Sequence, residues 1–64
     1  MLGEAIRKYR ARSKLSQEKL AEKADLSTVF ISEVETGKKT ISVDSLLRIA
    51  NALKIALRDL FRGL

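Results

Sequence analysis

Ser16-Gln17-Glu18-Lys19-Leu20-Ala21-Glu22-Lys23-Ala24-Asp25-Leu26-Ser27-Thr28-Val29-Phe30-Ile31-Ser32-Glu33-Val34-Glu35 is the stretch on which the fold turns. Ser16 offers a side-chain oxygen to the free amides of a starting helix, and Glu18 sits in the first turn, where the helix dipole favours an anion. Lys19 stands where a reciprocal capping box would carry Glu or Gln, so the cap is one-sided. Leu20, Ala21 and Ala24 recur at helical spacing and predict an inward face, with Leu15 just ahead of the cap. The helix is expected to end near Ala24. Asp25-Leu26-Ser27 is too short for anything but a tight turn, and Ser27 caps the next helix. That helix is expected to run to about Glu35 with Ile31 and Val34 inward, and Gly37 is placed to stop it in a left-handed conformation.

The helical period continues on both sides. Upstream, Leu2, Ile6 and Tyr9 recur at steps of three and four, while Arg7, Lys8, Arg12 and Lys14 read as a solvated face. Downstream, Lys38-Lys39-Thr40 forms a basic loop and Ser42 caps a fourth helix with Asp44 in its first turn. Val43, Leu46, Leu47, Ala50 and Leu53 are expected to face inward there. A short last helix carries Leu57, Leu60, Phe61 and Leu64. No linker, repeat or low-complexity stretch interrupts the pattern, which predicts an all-α fold of five helices forming one domain over residues 1–64.

Composition removes several classes of function. The 64 residues include no Cys and no His, which excludes disulfide staples, Cys- or His-ligated zinc sites and Cys or His nucleophiles. No carboxylate cluster or glycine-rich phosphate loop offers a catalytic constellation, so no enzyme, cofactor, metal or small-molecule ligand is expected. No apolar run approaches the length of a membrane span, and no helix pairs a broad aromatic face with a continuous basic one. The start lacks the apolar segment of a signal peptide, and the expected compartment is the cytoplasm, on the nucleoid. The net charge of +5 suggests an anionic partner, although the same charge also serves solubility alone.

Two short helices joined by a three-residue turn, each opened by Ser, form the outline of a helix-turn-helix. The small side chain of Ala21 suits the close crossing of such helices. Pattern and charge together fit a DNA-binding module, while pattern alone also fits a structural bundle. The resemblance then becomes specific. Leu15-Ser16-Gln17-Glu18-Lys19-Leu20-Ala21 resembles the LSQxxLA start of the lambda-repressor/Cro-like (XRE) helix-turn-helix family. Ile31-Ser32-Glu33-Val34-Glu35-Thr36-Gly37 is similar to that family's ISxxExG, and Ser42 to Phe61 resembles its two closing helices. Arg10 falls where the family has a frequent arginine in its first helix. The similarity spans essentially the whole chain without gaps and implies a compact five-helix, lambda-repressor-like domain that binds double-stranded DNA.

What the resemblance implies for single residues follows position by position. Gln17 matches a residue that contacts the DNA backbone and braces the recognition helix. The third helix resembles that recognition helix, whose exposed positions, here Ser27, Thr28, Val29, Ser32 and Glu33, meet base edges in the major groove. Thr28 and Ser32 can bond to bases or phosphates, and Val29 offers methyls that suit a thymine methyl. Glu33 stands where the family often has a basic or amide side chain. Either it accepts a hydrogen bond from a cytosine amino group, or it points away and acts as a filter against other sequences. Phe30 either lies along the sugar-phosphate backbone or packs against the first helix, and packing is the favoured reading. Lys38, Lys39, Thr40 and Ser42, with the amides opening the fourth helix, match a stretch that grips phosphates. Arg10 and Glu35 match a partly buried ion pair and are assigned a structural role.

Some positions depart from the family. Lys14, Asp25 and Lys54 stand at turns where glycine is common, so the usual geometry would force them to positive φ. Ile41 replaces a frequent proline and Ala56 a common helix cap. One recognition helix reads only a few base pairs, so a homodimer on a palindromic operator is expected. The apolar surplus near the end, Ile55, Leu57, Phe61 and Leu64, is the candidate interface. The implied function is a transcriptional repressor or autoregulator, with the controller proteins of restriction-modification systems among its types. The alternative is an antitoxin or adaptor whose main task is to bind a partner protein.

Overall fold

Serine opens three of the five helices, and a residue in the left-handed conformation closes four. In the computed structural model, which describes residues 2–62, α1 spans Leu2–Arg12, α2 Gln17–Ala24, α3 Thr28–Glu35, α4 Val43–Leu53 and α5 Leu57–Arg62. The hydroxyls of Ser16, Ser27 and Ser42 accept from the amides of Lys19, Phe30 and Ser45 at 3.0, 3.0 and 3.2 Å. Each such cap contributes about 0.5–2 kcal/mol. Ala56, which has no side chain for this, is served in the opposite sense: Asp59 reaches back and accepts from its amide at 2.9 Å.

The helix ends repeat one device. Lys14, Asp25 and Lys54 have φ of 60°, 59° and 59°, and Gly37 has 77°. In each case the next amide reaches back to the carbonyl five residues earlier: Leu15 to Arg10, Leu26 to Ala21, Lys38 to Glu33 and Ile55 to Ala50, at 2.8–3.1 Å. This is the Schellman arrangement, and an apolar residue just past the turn commonly seals it. Leu15, Leu26 and Ile55 do so, all packed against the core. The lysines therefore occupy the positions the resemblance implied, at the cost of left-handed strain.

The packing places α2 against α3 and α4, and α1 against α3 and α5. Ile6, Leu20, Ile31, Ile49 and Leu60 are fully enclosed at the centre, surrounded by Ala5, Ala21, Ala24, Val34, Leu46, Ala50 and Leu53. One expectation is corrected. The buried stripe of α4 is Leu46, Ile49, Ala50 and Leu53, whereas Val43 and Leu47 are 67% and 43% exposed. Leu47 lies one residue, about 100°, round the helix from Leu46, and Val43 is the first residue of α4; the stripe is instead centred between Leu46 and Leu53 and reaches round to Ile49, which was not among the expected inward residues. Gly3 has a packing role of its own. A β-carbon there would stand 2.2 Å from the Val34 carbonyl oxygen and 3.1 Å from that of Glu35, so α1 lies directly on the end of α3.

Candidate nucleic-acid interface

Helix α3 has two faces. Ile31 and Val34 lock one into the core, and Phe30 packs part-buried against that core. Ser27, Thr28 and Val29 are exposed, with Val29 at 67%, and Ser32 and Glu33 are half-buried. Thr28 with Ser32 and Val29 with Glu33 are four residues apart, so these side chains form one outward stripe on a helix held rigidly from behind.

The base of α3 is tied down by a charged cluster. Glu35 Oε2 accepts from Arg10 Nε at 2.6 Å, and Oε1 accepts from Arg10 Nη2 at 3.1 Å and from Gln17 Nε2 at 2.9 Å. Arg10 Nη1 donates to the Leu15 carbonyl at 2.8 Å. The Glu35 side chain is 2% exposed and that of Arg10 16%. One guanidinium thus joins α1, the turn before α2 and the end of α3, through bidentate, charge-assisted bonds. Gln17 carries a second amide proton beyond the one given to Glu35, which leaves one donor for an outside acceptor. The Gln17–Glu35 bond is the brace to the third helix that the resemblance implied, although spacing alone reveals no contact across 18 positions.

Beyond α3 the chain turns at Gly37 into Lys38, Lys39 and Thr40, all exposed, and then into Ser42 at the start of α4. Among the described residues Lys38 has no ionic partner, whereas Lys39 Nζ lies 4.0 Å from Glu33 Oε1. Of the candidate dimer residues, Ile55 and Leu57 are half-buried against the protein's own core, Phe61 is 67% exposed, and Leu64 lies outside the described residues.

The charge is distributed differently from what the net value suggests. Residues 15–45, which hold α2, α3 and the following loop, carry four lysines and six carboxylates, a net charge of −2. The basic surplus therefore belongs to the chain up to Lys14 and from Leu46 onward, not to the helix-turn-helix.

Comparison with known proteins agrees with this geometry. The helix-turn-helix family model matches residues 6–60. The chain is 38% identical over 61 residues to Control protein C.BamHI of Bacillus amyloliquefaciens, covering 94% of this chain and 75% of that one. Among solved structures, the restriction-modification controller protein C.AhdI from Aeromonas hydrophila superposes with a TM-score of 0.93 at 37% identity, covering 94% of this chain and 91% of that one. The biofilm master regulator SinR, solved in complex with DNA, gives a TM-score of 0.91 at 27% identity over 95% of this chain and 98% of that one. With its five helices, its matching sequence and these structural neighbours, the chain belongs to the lambda-repressor/Cro-like (XRE) helix-turn-helix family of DNA-binding transcriptional regulators.

Proposed function

We propose that the protein acts as a controller-type repressor or autoregulator, binding a palindromic operator as a homodimer with α3 in the major groove. The observation that carries the reading is the outward stripe of α3. Val29 presents methyl groups to solvent on a helix fixed by Ile31, Val34 and the Glu35 cluster, an arrangement with little purpose unless a partner covers it. Thr28, Ser32 and Ser27 supply hydrogen-bonding groups beside it. Gln17, Lys38, Lys39, Thr40 and Ser42 frame the stripe and take the phosphate contacts that set its register. Two copies related by a twofold axis place their α3 helices about 34 Å apart, one turn of DNA. Among the described residues of the candidate interface, Phe61 is the most exposed apolar group, and Ile55 and Leu57 are half-buried. The reading assigns the protein no catalytic chemistry, cofactor or small-molecule ligand, and places it in the cytoplasm.

The test is selection of bound duplexes from a random library at about 150 mM salt, where purely electrostatic binding is suppressed. A palindromic motif with half-sites one turn apart is expected. Failure to enrich any sequence, with weak binding that vanishes as salt rises, would overturn the reading and point to the partner-protein alternative.

A further inference from the structure

A carboxylate at the DNA-facing surface needs an explanation. Glu33 stands one turn beyond Val29 on the outward stripe of α3, close to the negative end of the helix dipole, and would approach phosphates in any complex. Three features bring a compensating charge to it. The Lys38 amide donates to the Glu33 carbonyl at 2.8 Å, and the Gly37 amide to that of Val34 at 3.1 Å. Gly37, at φ 77°, folds the chain back over the end of α3. Lys39 thereby stands with its Nζ 4.0 Å from Glu33 Oε1, the two side chains 52% and 40% exposed. The approach is set by the backbone turn rather than by the weak surface attraction itself.

We propose that Lys39, besides its phosphate contact, is a specificity-positioning residue that acts through Glu33. This rests on the DNA-binding reading above. With Lys39 beside it, Glu33 enters the interface as part of a neutral pair. Its carboxylate then needs an exocyclic amino donor in the major groove, and cytosine suits it better than adenine, whose amino group lies beside the N7 acceptor that repels a carboxylate. Thymine offers only a carbonyl acceptor and a methyl at the same edge, and both repel or exclude the carboxylate. The pair adds little attraction overall but ranks sequences by whether a cytosine lies beneath Glu33. Lys38, one residue earlier and without such a partner among the described residues, is left as the ordinary phosphate contact.

The two lysines therefore differ in a measurable way. The probes are the duplex selected by the wild-type protein and a set of single C·G to T·A replacements in each half-site. Binding is followed by fluorescence anisotropy as a function of salt. Lys38→Ala is expected to weaken all duplexes by the same factor and to reduce the salt slope by about one. Glu33→Ala is expected to abolish the preference at one cytosine position, a loss of roughly five- to tenfold in discrimination. Lys39→Ala is expected to reduce discrimination at that same position, and in the Glu33→Ala background to reduce it no further. A uniform loss on every duplex for Lys39→Ala overturns the inference while leaving the DNA reading intact, as does a cytosine preference that survives Glu33→Ala. A wild-type protein that selects no duplex removes the DNA reading and this inference together. Circular dichroism of each variant confirms that helicity is retained, as expected for positions outside the core.

Discussion

Arg10→Ala is the substitution for which the structure yields the largest number. Glu35 holds its charge inside the protein by accepting three hydrogen bonds, two of them from Arg10 at 2.6 and 3.1 Å. Removing the guanidinium leaves a carboxylate that is 2% exposed with Gln17 as its one remaining donor, and also strips the Leu15 carbonyl of its partner. Breaking one side of a buried pair costs about 3–5 kcal/mol. A chain of this length has roughly 3–10 kcal/mol of stability in total. Each kcal/mol moves the midpoint of a small domain by roughly 4–8 °C. Arg10→Ala should therefore lower Tm by about 12–40 °C, enough at the upper end to unfold the protein at room temperature. Arg12→Ala is the control: it stands over the Tyr9 ring at 5.9 Å, an exposed contact of about 0.5–1 kcal/mol. Thermal melts of the two variants by circular dichroism settle the matter. If Arg10→Ala melts within a few degrees of Arg12→Ala, the cluster does not hold α1 to α3 in the way described. The double variant Arg10→Met with Glu35→Leu should recover most of the loss, since a well-packed apolar pair often equals or exceeds a buried ionic one.

Other substitutions probe separate parts of the argument. Lys54→Gly should stabilise the protein by about 0.5–1 kcal/mol in urea unfolding, because glycine relieves the left-handed strain at φ 59° by more than it gains in unfolded-state entropy; an unchanged or lowered midpoint would refute that turn. Gly3→Ala sets a methyl 2.2 Å from a backbone oxygen that cannot yield locally, and should cost about 1–3 kcal/mol. Wild-type stability for Gly3→Ala would mean that α1 slides freely on α3. Phe61→Lys should leave helicity intact and shift sedimentation to the monomer, whereas a persisting dimer would place the interface elsewhere. With Lys38 and Lys39 as the cations placed to meet phosphates, operator binding should have a shallow salt dependence, a log–log slope of roughly −1 to −2 per protomer; a value beyond about −5 would mean that the basic helices outside residues 15–45 also touch DNA.

The parts of the fold legible in the sequence were those governed by local chemistry. Ser16, Ser27 and Ser42 announce helix starts because a hydroxyl serves amides two or three residues away, whatever the rest of the chain does. The left-handed residues Lys14, Asp25 and Lys54 are invisible to propensity, and only the resemblance to a family with glycine there located them. Where burial depends on the neighbour's shape, sequence reasoning erred: Val43 and Leu47 are as apolar as Leu46 and Ile49, yet no helix covers them. Contacts between distant positions were the least visible. Nothing in spacing connects Gln17 to Glu35 or Lys39 to Glu33, since each depends on how a turn swings one segment over another. Gly3 could have been suspected, because a glycine inside an otherwise good helix often marks a close approach.

The four Schellman turns also bear on how the chain reaches its native state. Each is made from residues within a single six-residue window, so the first four helices carry their own stop signals before any tertiary contact exists. The connections span four, three, seven and three residues, and closing loops of that size takes well under a microsecond. The sequence contains no proline, so no peptide-bond isomerisation can hold back a fraction of molecules. Refolding from urea should then be a single exponential in the microsecond-to-millisecond range, typical of small helical proteins with local contacts. A newly made protomer would be folded, and ready to meet its partner copy, almost as soon as α5 is free to pack.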